Sequence, residues 1–139
     1  DMLRNDTVGV RTLAGGADGL TTIQNARTPN ATILLVQARL AELAAAYAVQ
    51  EDAQAEASQR RLFKHIDTDQ NPEQAEEAGR LQLQYLHLRI LGRFVEADGP
   101  EVDAGLSLWS ELFSIGSAPE DAWTGVLVAL LRDPNFLLY

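Results

Sequence analysis

Five consecutive polar residues, Asp67-Thr68-Asp69-Gln70-Asn71, have the alternating oxygen-bearing side chains with which a calcium-binding loop begins. Such a loop also needs a glycine at its sixth position and a bidentate glutamate at its twelfth. These two positions hold Pro72 and Ala78 instead. The pattern therefore predicts a polar turn before a helix, and we expect no tight calcium site and no other metal site at Asp67–Asn71.

Histidine is the next residue type that could do chemistry. His65 and His87 are the only two in the chain, so a haem or metal site would depend on them. Neither has a second histidine three or four positions away, which is the spacing that places two imidazoles on one helix face. Two histidines on facing helices would still suffice to hold haem b. A small-molecule or haem carrier that uses the bundle core with His65 and His87 is therefore the alternative hypothesis.

Catalytic motifs are absent from the sequence. The chain has no cysteine, which excludes disulfides, thiolate metal sites, covalent c-type haem attachment and cysteine nucleophiles. None of its five serines lies in the Gly-x-Ser-x-Gly arrangement of an activated nucleophile. The glycines of the AGGADG stretch lack the spacing of a phosphate-binding loop. We therefore expect a non-catalytic protein without a cofactor of its own.

Length and charge limit the possible partners. The 139 residues are enough for one domain with a sizeable core, and 46% apolar with 22% charged residues is typical of a folded protein. The net charge of −9 disfavours nucleic acid and anionic membrane surfaces, because both are bound through clustered basic residues. The apolar runs look too short for a membrane span. The start at Asp1 without a preceding Met is typical of a processed or trimmed product.

Proline marks the expected helix boundaries. Pro29, Pro72, Pro100 and Pro119 each stand at a position where a helix would begin, because the first turn needs no backbone N–H group. Pro134 would end the last helix. In addition, Asn71 is a suitable cap for the second helix, and Ser117 with Glu120 has the spacing of a capping box for the fourth.

The predicted fold is therefore all-α. Residues 28–139 are expected to form a bundle of four main helices plus a short helical piece between Ser58 and Ile66, with successive long helices packed as antiparallel neighbours. Residues 1–27 differ, because Gly-Gly and Asp-Gly separate two β-prone runs there. This pattern predicts an irregular or hairpin-like N-terminal segment.

Each helix carries an apolar stripe at helical spacing, which predicts the face that packs into the core. In the first helix the stripe consists of Ile33, Val36, Leu40, Leu43 and Tyr47. In the second it consists of Leu81, Tyr85, Leu88, Leu91 and Phe94, widened by Leu83, Leu86 and Ile90. Trp109 and Trp123 lie on the stripes of the third and fourth helices. We expect both tryptophans to be largely buried.

The last two-fifths of the chain resemble a known helical module. The matching elements are a helix that ends near Leu91-Gly92-Arg93, an acidic turn, a helix pair and a final Ala-Leu-Leu-x-x-Pro-x-Phe-Leu-Tyr pattern over residues 129–139, with Leu138 as an extra residue. Residues 86–139 are similar in this way to a domain of unknown function from large secreted proteins of planctomycetes and myxobacteria, often found beside cytochrome c domains. The family usually has Ser where this chain has Asp133. A different bacterial helical repeat with a Leu-Gly-Arg element is a competing match.

The resemblance implies a periplasmic or secreted location and an accessory role near electron-transfer proteins, and it supplies no catalytic residues. The leading hypothesis is a helical protein-interaction or structural module that binds a protein partner or is part of a longer polypeptide. The apolar C-terminal end supports this hypothesis. We expect Phe136 and Leu137 to dock on the helical core, because burying a large apolar side chain stabilises a fold by about 1.5 to 3 kcal/mol. We expect Phe136, Leu138 and Tyr139 to contribute to partner binding.

Overall fold

The protein is described here by a computed structural model that covers residues 31–133 and residue 136. Its helices are α1 (Ala31–Gln54), α2 (Glu76–Leu91), α3 (Pro100–Ile115) and α4 (Pro119–Leu131). No strand occurs within these described residues, and the predicted all-α bundle of four main helices is confirmed. The hairpin-like segment predicted for residues 1–27 lies outside them.

The fourth helix occupies the centre of the bundle. α4 packs against α1 most extensively, then against α3, and to a smaller extent against α2, which itself packs on α3. The contacts of α1 with α2 and α3 are marginal at most. The prediction that α1 and α2 are antiparallel neighbours is therefore wrong, because residues 55–75 join them through a long series of turns and bends rather than a short loop. α1 is an edge helix.

Three aromatic rings form the middle of the core. Trp109 of α3 and Trp123 of α4 are fully buried, and their ring centroids are 4.6 Å apart. Phe63, from the connection between α1 and α2, meets Trp123 edge-on with a centroid separation of 5.4 Å. Tilted and edge-on ring contacts add to the stabilisation that comes from burial. The predicted burial of both tryptophans is confirmed.

The first two helices bury only part of the apolar stripes predicted for them. In α1 the buried residues are Ile33, Gln37, Ala41, Ala45, Val49 and Asp52. Leu43 and Tyr47, which were expected in the core, are exposed. In α2 the core residues are Leu83, Leu86 and Leu91, whereas Leu81, Leu88 and Phe94 of the predicted stripe are exposed. Small side chains on α1 let it lie close to α4, since the separation of two helices depends on the residues at their contact.

The connection between α1 and α2 also departs from the prediction. The segment from Ser58 to Ile66, predicted as a short helix, consists of turns and bends. Its backbone N–H groups at Arg61, Leu62 and Phe63 donate to the carboxylate of Asp52 instead of to preceding carbonyl groups. A side chain on the preceding helix has therefore replaced the helical hydrogen bonds of this segment.

Two of the helix starts agree with the proline positions and one does not. α3 and α4 begin at Pro100 and Pro119 as predicted. α2 begins only at Glu76, because the Asn71 side chain accepts a hydrogen bond from the Glu73 N–H at 2.9 Å and closes a separate turn first. Asn side chains favour such turns over a continuous helix.

The cap of α4 is shifted by one residue from its predicted position. The carboxylate of Asp121 accepts a hydrogen bond from the Ala118 N–H at 3.3 Å, so Ala118 precedes the helix and the predicted pair of Ser117 and Glu120 does not form the cap. The acidic residue still lies in the first turn, where it complements the positive end of the helix dipole.

Close packing of α2 on α3 depends on a glycine. A Cβ atom at Gly79 would lie 2.6 Å from a ring carbon of Trp109, which is buried against Trp123 and has no room to move. A Cβ atom at Gly125 of α4 would meet the flexible end of the Leu112 side chain, which is only half-buried. The two glycines therefore differ in how easily their neighbour can yield.

We predict that Gly79→Ala destabilises the protein by about 1 to 3 kcal/mol, the usual cost of overpacking a core, despite the better helix propensity of alanine. Gly125→Ala is the matched control, since it gains the same propensity and only displaces Leu112. Urea unfolding of both variants measures the difference. Equal midpoints for the two variants would show that the Trp109 ring is not rigidly held.

Candidate interaction surface on the first helix

α1 has two distinct faces, of which one is covered by the rest of the described chain and the other only in part. The inner face, centred on Ala41 and Ala45, packs on α4. The outer stripe, as we name it here, consists of Val36, Leu40, Leu43 and Tyr47. Its residues are spaced by four, three and four positions, which is the spacing of a helix–helix seam. α1 therefore has the residues for packing against one helix on each side.

The outer stripe is unusually exposed for its composition. Leu43 is 42% and Tyr47 66% exposed. Val36 and Leu40 are half-buried. Single exposed apolar residues are ordinary on protein surfaces, but several large ones along one helix indicate a contact surface.

The electrostatics of this surface differ from those of the whole protein. Between Ala31 and Gln50 the only charged residues are Arg39 and Glu42, which form an exposed ion pair with an N–O distance of 3.0 Å. This stretch of α1 is therefore neutral, although the chain carries a net charge of −9. An acidic groove lies elsewhere, between α2 and α3, where Glu73, Glu76, Asp103 and Glu111 are found. Apolar partners with a similar overall charge could approach α1 without strong repulsion.

A buried glutamine fixes the N-terminal half of α1 against the end of α4. The Gln37 side-chain nitrogen donates to the backbone oxygens of Leu131, at 2.8 Å, and Asp133, at 3.1 Å. The last carbonyl groups of a helix have no partners within that helix, so these bonds satisfy acceptors that would otherwise be left unpaired. Gln37 thereby sets the register of α1 on α4.

A buried carboxylate fixes the other end of α1. Asp52 is 5% exposed, and its two oxygens accept hydrogen bonds from the backbone N–H groups of Arg61, Leu62 and Phe63 at 2.6 to 3.1 Å. Burial alone would raise the pKa of the Asp52 carboxyl group. The backbone hydrogen bonds and the nearby positive charge of Lys64 outweigh this effect and lower its pKa below the ordinary value.

The same short segment is held from the other side by α2. Gln82 is fully buried, and its side chain donates to the Leu62 oxygen at 2.7 Å and accepts from the His65 N–H at 3.1 Å. The Tyr85 hydroxyl donates to the Arg61 oxygen at 3.1 Å. Segment 61–65 is thus bonded to both α1 and α2, and it positions the C-terminal half of the outer stripe relative to the rest of the bundle.

A cleft of about 700 Å³ adjoins this end of the stripe. Tyr47 lines it together with Arg61, Arg89, Glu51 and the apolar side chain of Leu62. Neither guanidinium group has a carboxylate partner within ion-pair distance among the described residues. The buried Asp52 also lines the cleft, which thus contains two carboxylates besides its two guanidinium groups.

The two histidines lie on different sides of α2. His65 is exposed and packs edge-on against Tyr85, with ring centroids 5.6 Å apart. His87 is buried, and burial together with the charge of Arg93 lowers the pKa of its imidazole, against the smaller opposing effects of Glu101 and Asp133. Because residues two positions apart on a helix do not share a face, Tyr85 and His87 point in different directions. This arrangement does not favour a haem held between His65 and His87.

The polar side chains of the turn at Asp67 are bonded to other residues of the same chain. Asp67 forms an ion pair with Arg60, and Asn71 accepts the Glu73 N–H hydrogen bond described above. Within residues 31–133 no group of three or more His, Cys, Asp or Glu side chains is arranged to hold a metal ion. The absence of a calcium site thus remains a prediction, and the geometry of the turn supports it.

The C-terminal end is only partly described. Phe136 is 39% exposed, and its N–H donates to the Asp133 oxygen at 2.9 Å. Phe136 is thus partly exposed and partly covered, and the expectation that it docks on the core stays a prediction. Leu138 and Tyr139 lie outside the described residues, as does Leu137. The contribution of Phe136, Leu138 and Tyr139 to partner binding stays a prediction.

Comparison of the chain with protein-family models, curated proteins and solved structures gives no match. The resemblance of residues 86–139 to the secreted helical module therefore stays a prediction, and so do the extracytoplasmic location and the accessory role that it implies. The interpretation of the outer stripe depends on the geometry of α1 alone.

The expectation of no membrane span stays a prediction. By length and apolar composition α1 qualifies as a helix that could cross a membrane, and it is the one such helix in the region that the structure describes. The apolar length of α1 is not apparent from the sequence, because polar residues interrupt each apolar run. Core helices and signal sequences satisfy the same criterion, and α1 satisfies it because both of its faces are apolar.

We predict that Asp52→Asn lowers the free energy of unfolding at pH 7 by about 2 kcal/mol or more, because the amide turns a donor toward N–H groups that need acceptors. Since the pKa of Asp52 is lower in the folded state, its carboxylate stabilises the protein above the unfolded-state pKa of about 3.9. That stabilisation is lost as the pH falls through the folded-state pKa. Chemical unfolding between pH 7 and pH 2.5 measures both effects.

The control for this prediction is Glu56→Gln, a neutralisation of an exposed carboxylate near the same end of α1. We expect it to change the unfolding free energy little at any pH. A stability difference between wild type and Asp52→Asn that persists unchanged at pH 2.5 would contradict the assigned role of the carboxylate.

Proposed function

We propose that this protein is a non-catalytic helical module that binds a protein partner through the outer stripe of α1. The observation that carries the proposal is the reversal of faces on α1: alanines pack on α4, while Leu43 and Tyr47 face solvent. A helix that is apolar on both sides is normally covered on both sides.

Exposed apolar area contributes binding free energy when a partner covers it. Each large apolar side chain that moves from water into a contact contributes about 1.5 to 3 kcal/mol. Tyrosine is among the residues that dominate binding energy at protein interfaces, because it combines a large rigid ring with a polar end. Tyr47 is therefore the expected anchor of the contact, with Leu43 beside it.

The C-terminal end of the chain supports the same surface. Gln37 on α1 binds the Asp133 oxygen, so Asp133 lies beside the N-terminal half of α1. Phe136 follows within three residues and is exposed. The predicted partner-binding residues at the chain end thus begin close to α1, and a single partner could contact both.

We further propose that the module is an accessory subunit, or a domain of a longer polypeptide, in a secreted or periplasmic redox assembly. The support for this part is the resemblance of residues 86–139 described above, together with the lack of catalytic motifs. The alternative of a haem or small-molecule carrier draws no support from the positions of His65 and His87. An optical spectrum of the purified protein separates the two, because a carrier of haem has a Soret band.

We predict that the double variant Leu43→Gln/Tyr47→Gln folds as stably as wild type at low protein concentration, with a change of less than about 0.5 kcal/mol per substitution. The buried control Val49→Gln on the inner face should lose about 2 kcal/mol or more, because it places a polar amide in the core. Urea unfolding followed by tryptophan fluorescence measures all three proteins.

The binding role itself is tested with the wild type and the double variant as baits in an extract of the producing organism. Leu81→Gln/Leu88→Gln is the matched control, since it removes two exposed leucines from α2 and leaves α1 intact. We expect a protein retained by wild type and by the α2 control to be lost with the α1 variant. Equal retention by all three baits, or global unfolding of the α1 variant, contradicts the proposed surface.

A further inference from the structure

The spacing of the residues in the outer stripe is the same in both directions along α1. Its residues are spaced by four, three and four positions, so a half-turn about an axis between Ala41 and Glu42 superimposes the stripe on itself. We propose that the partner on this surface is a second copy of this chain, with the two α1 helices packed antiparallel around a two-fold axis. This inference rests on the proposed function and deepens it by naming the partner.

The pairing follows from the spacing. The two-fold axis places Leu40 opposite Leu43 of the second copy and Val36 opposite Tyr47. A leucine layer thus fills the centre, and each bulky tyrosine meets the smaller valine. Facing positions that alternate large and small side chains pack without voids. The two helices overlap from Ala31 to Asp52, which is almost the whole of α1.

Charge favours a second copy in this orientation. The stripe lies on a neutral stretch, so two chains of net charge −9 can meet there at a low electrostatic cost. Glu51 lies at the C-terminal end of α1, and the eight residues from Ala31 to Ala38 carry no charge. Antiparallel packing places this uncharged end, which is the positive end of the helix dipole, beside Glu51 of the second copy. Parallel packing would bring the two acidic ends together.

The bundle leaves the stripe accessible. α1 is the edge helix, and its contacts with α2 and α3 are marginal at most, so a second α1 can approach along its length. Gln37 and Asp52 fix the two ends of the helix, so little ordering is needed when the copies meet. A single helix pair lies at the small end of specific interfaces. We therefore expect a reversible dimer whose population rises with protein concentration.

A lipid bilayer is a less suitable occupant of the same surface. Arg39 and Glu42 lie in the middle of α1, and an ionised side chain at the centre of a bilayer costs about 2.5 to 3.5 kcal/mol on insertion scales. At the edge of a protein interface both groups keep their contact with water. The charged pair thus favours a protein occupant.

The absence of cysteine allows a direct test, because any introduced thiol is unique in the chain. Val36→Cys and Tyr47→Cys are made separately in the full chain, and one of the two carries a tag that changes its size. Each variant by itself and a mixture of the two are then treated with a short bis-maleimide. The antiparallel dimer predicts about tenfold more covalent dimer in the mixture than in either sample alone, since identical positions are about 16 Å apart along the axis. Ala104→Cys, exposed on α3, is the control and should not cross-link.

The outcomes separate this inference from the proposed function. Adding Leu43→Gln to both cysteine variants should abolish the cross-link if the central leucine layer exists. Cross-linking of Val36→Cys with itself shows a parallel pair and overturns the proposal. A wild-type chain that stays monomeric in sedimentation equilibrium at every concentration overturns it too, because the wild type keeps the Tyr47 side chain that Tyr47→Cys removes. If the chain does not dimerise but the Leu43→Gln/Tyr47→Gln bait fails to retain a protein that the wild-type bait retains, the proposed function stands. Only the second copy is then excluded as the partner.

Discussion

The contact between the alanine face of α1 and the central helix α4 determines how the rest of this surface is arranged. Ala45 and Val49 lie in the same buried cluster as Trp123, Val126 and Leu127. Because these side chains of α1 are small, the two helices can come close, and the tryptophan of α4 supplies most of the volume. Leu43 and Tyr47 lie on the opposite side of the helix from these residues, so their side chains face outward. The exposure of these apolar side chains is thus a consequence of how the core is filled.

A contact formed by alanines buries little area, and buried polar groups supplement it. Gln37 joins α1 to the end of α4, and Asp52 joins α1 to segment 61–65, which Gln82 joins in turn to α2. Hydrogen bonds to a charged acceptor contribute more to stability than neutral ones. Such groups also define a unique register, because displacement by one turn would leave several of them buried and unpaired. The indole N–H groups of Trp109 and Trp123 lack hydrogen-bond partners among the described residues. Burying these unpaired groups offsets part of the free energy that burial of the two rings contributes.

The helices, two of their starting prolines and the buried tryptophans could be predicted from the sequence, because each depends on local chemistry or on strong apolar character. The buried faces of α1 and α2 were predicted only in part, since Ile33, Leu86 and Leu91 are buried as expected whereas Leu43, Tyr47 and Leu88 are exposed. A stripe of Leu43 and Tyr47 at helical spacing looks the same whether it packs on the chain's own core or on another protein, and alanines give no competing signal. Asp52 and Gln82 were also missed, since a polar residue on a helix is usually solvated and only the fold shows which backbone groups it reaches. The positions of these buried polar residues, rather than the apolar pattern, distinguish the inner face from the outer one.

In the proposed arrangement, α1 stabilises its own bundle with one face and binds a second copy with the other. Sedimentation equilibrium of the full chain over a wide range of concentrations, for wild type and for Leu43→Gln/Tyr47→Gln, tests this claim most directly. We expect the mass of wild type to rise from one chain to two with increasing concentration, and the mass of the variant to remain that of one folded chain. A wild-type protein that stays monomeric throughout, or a variant that dimerises as strongly as wild type, would contradict the account.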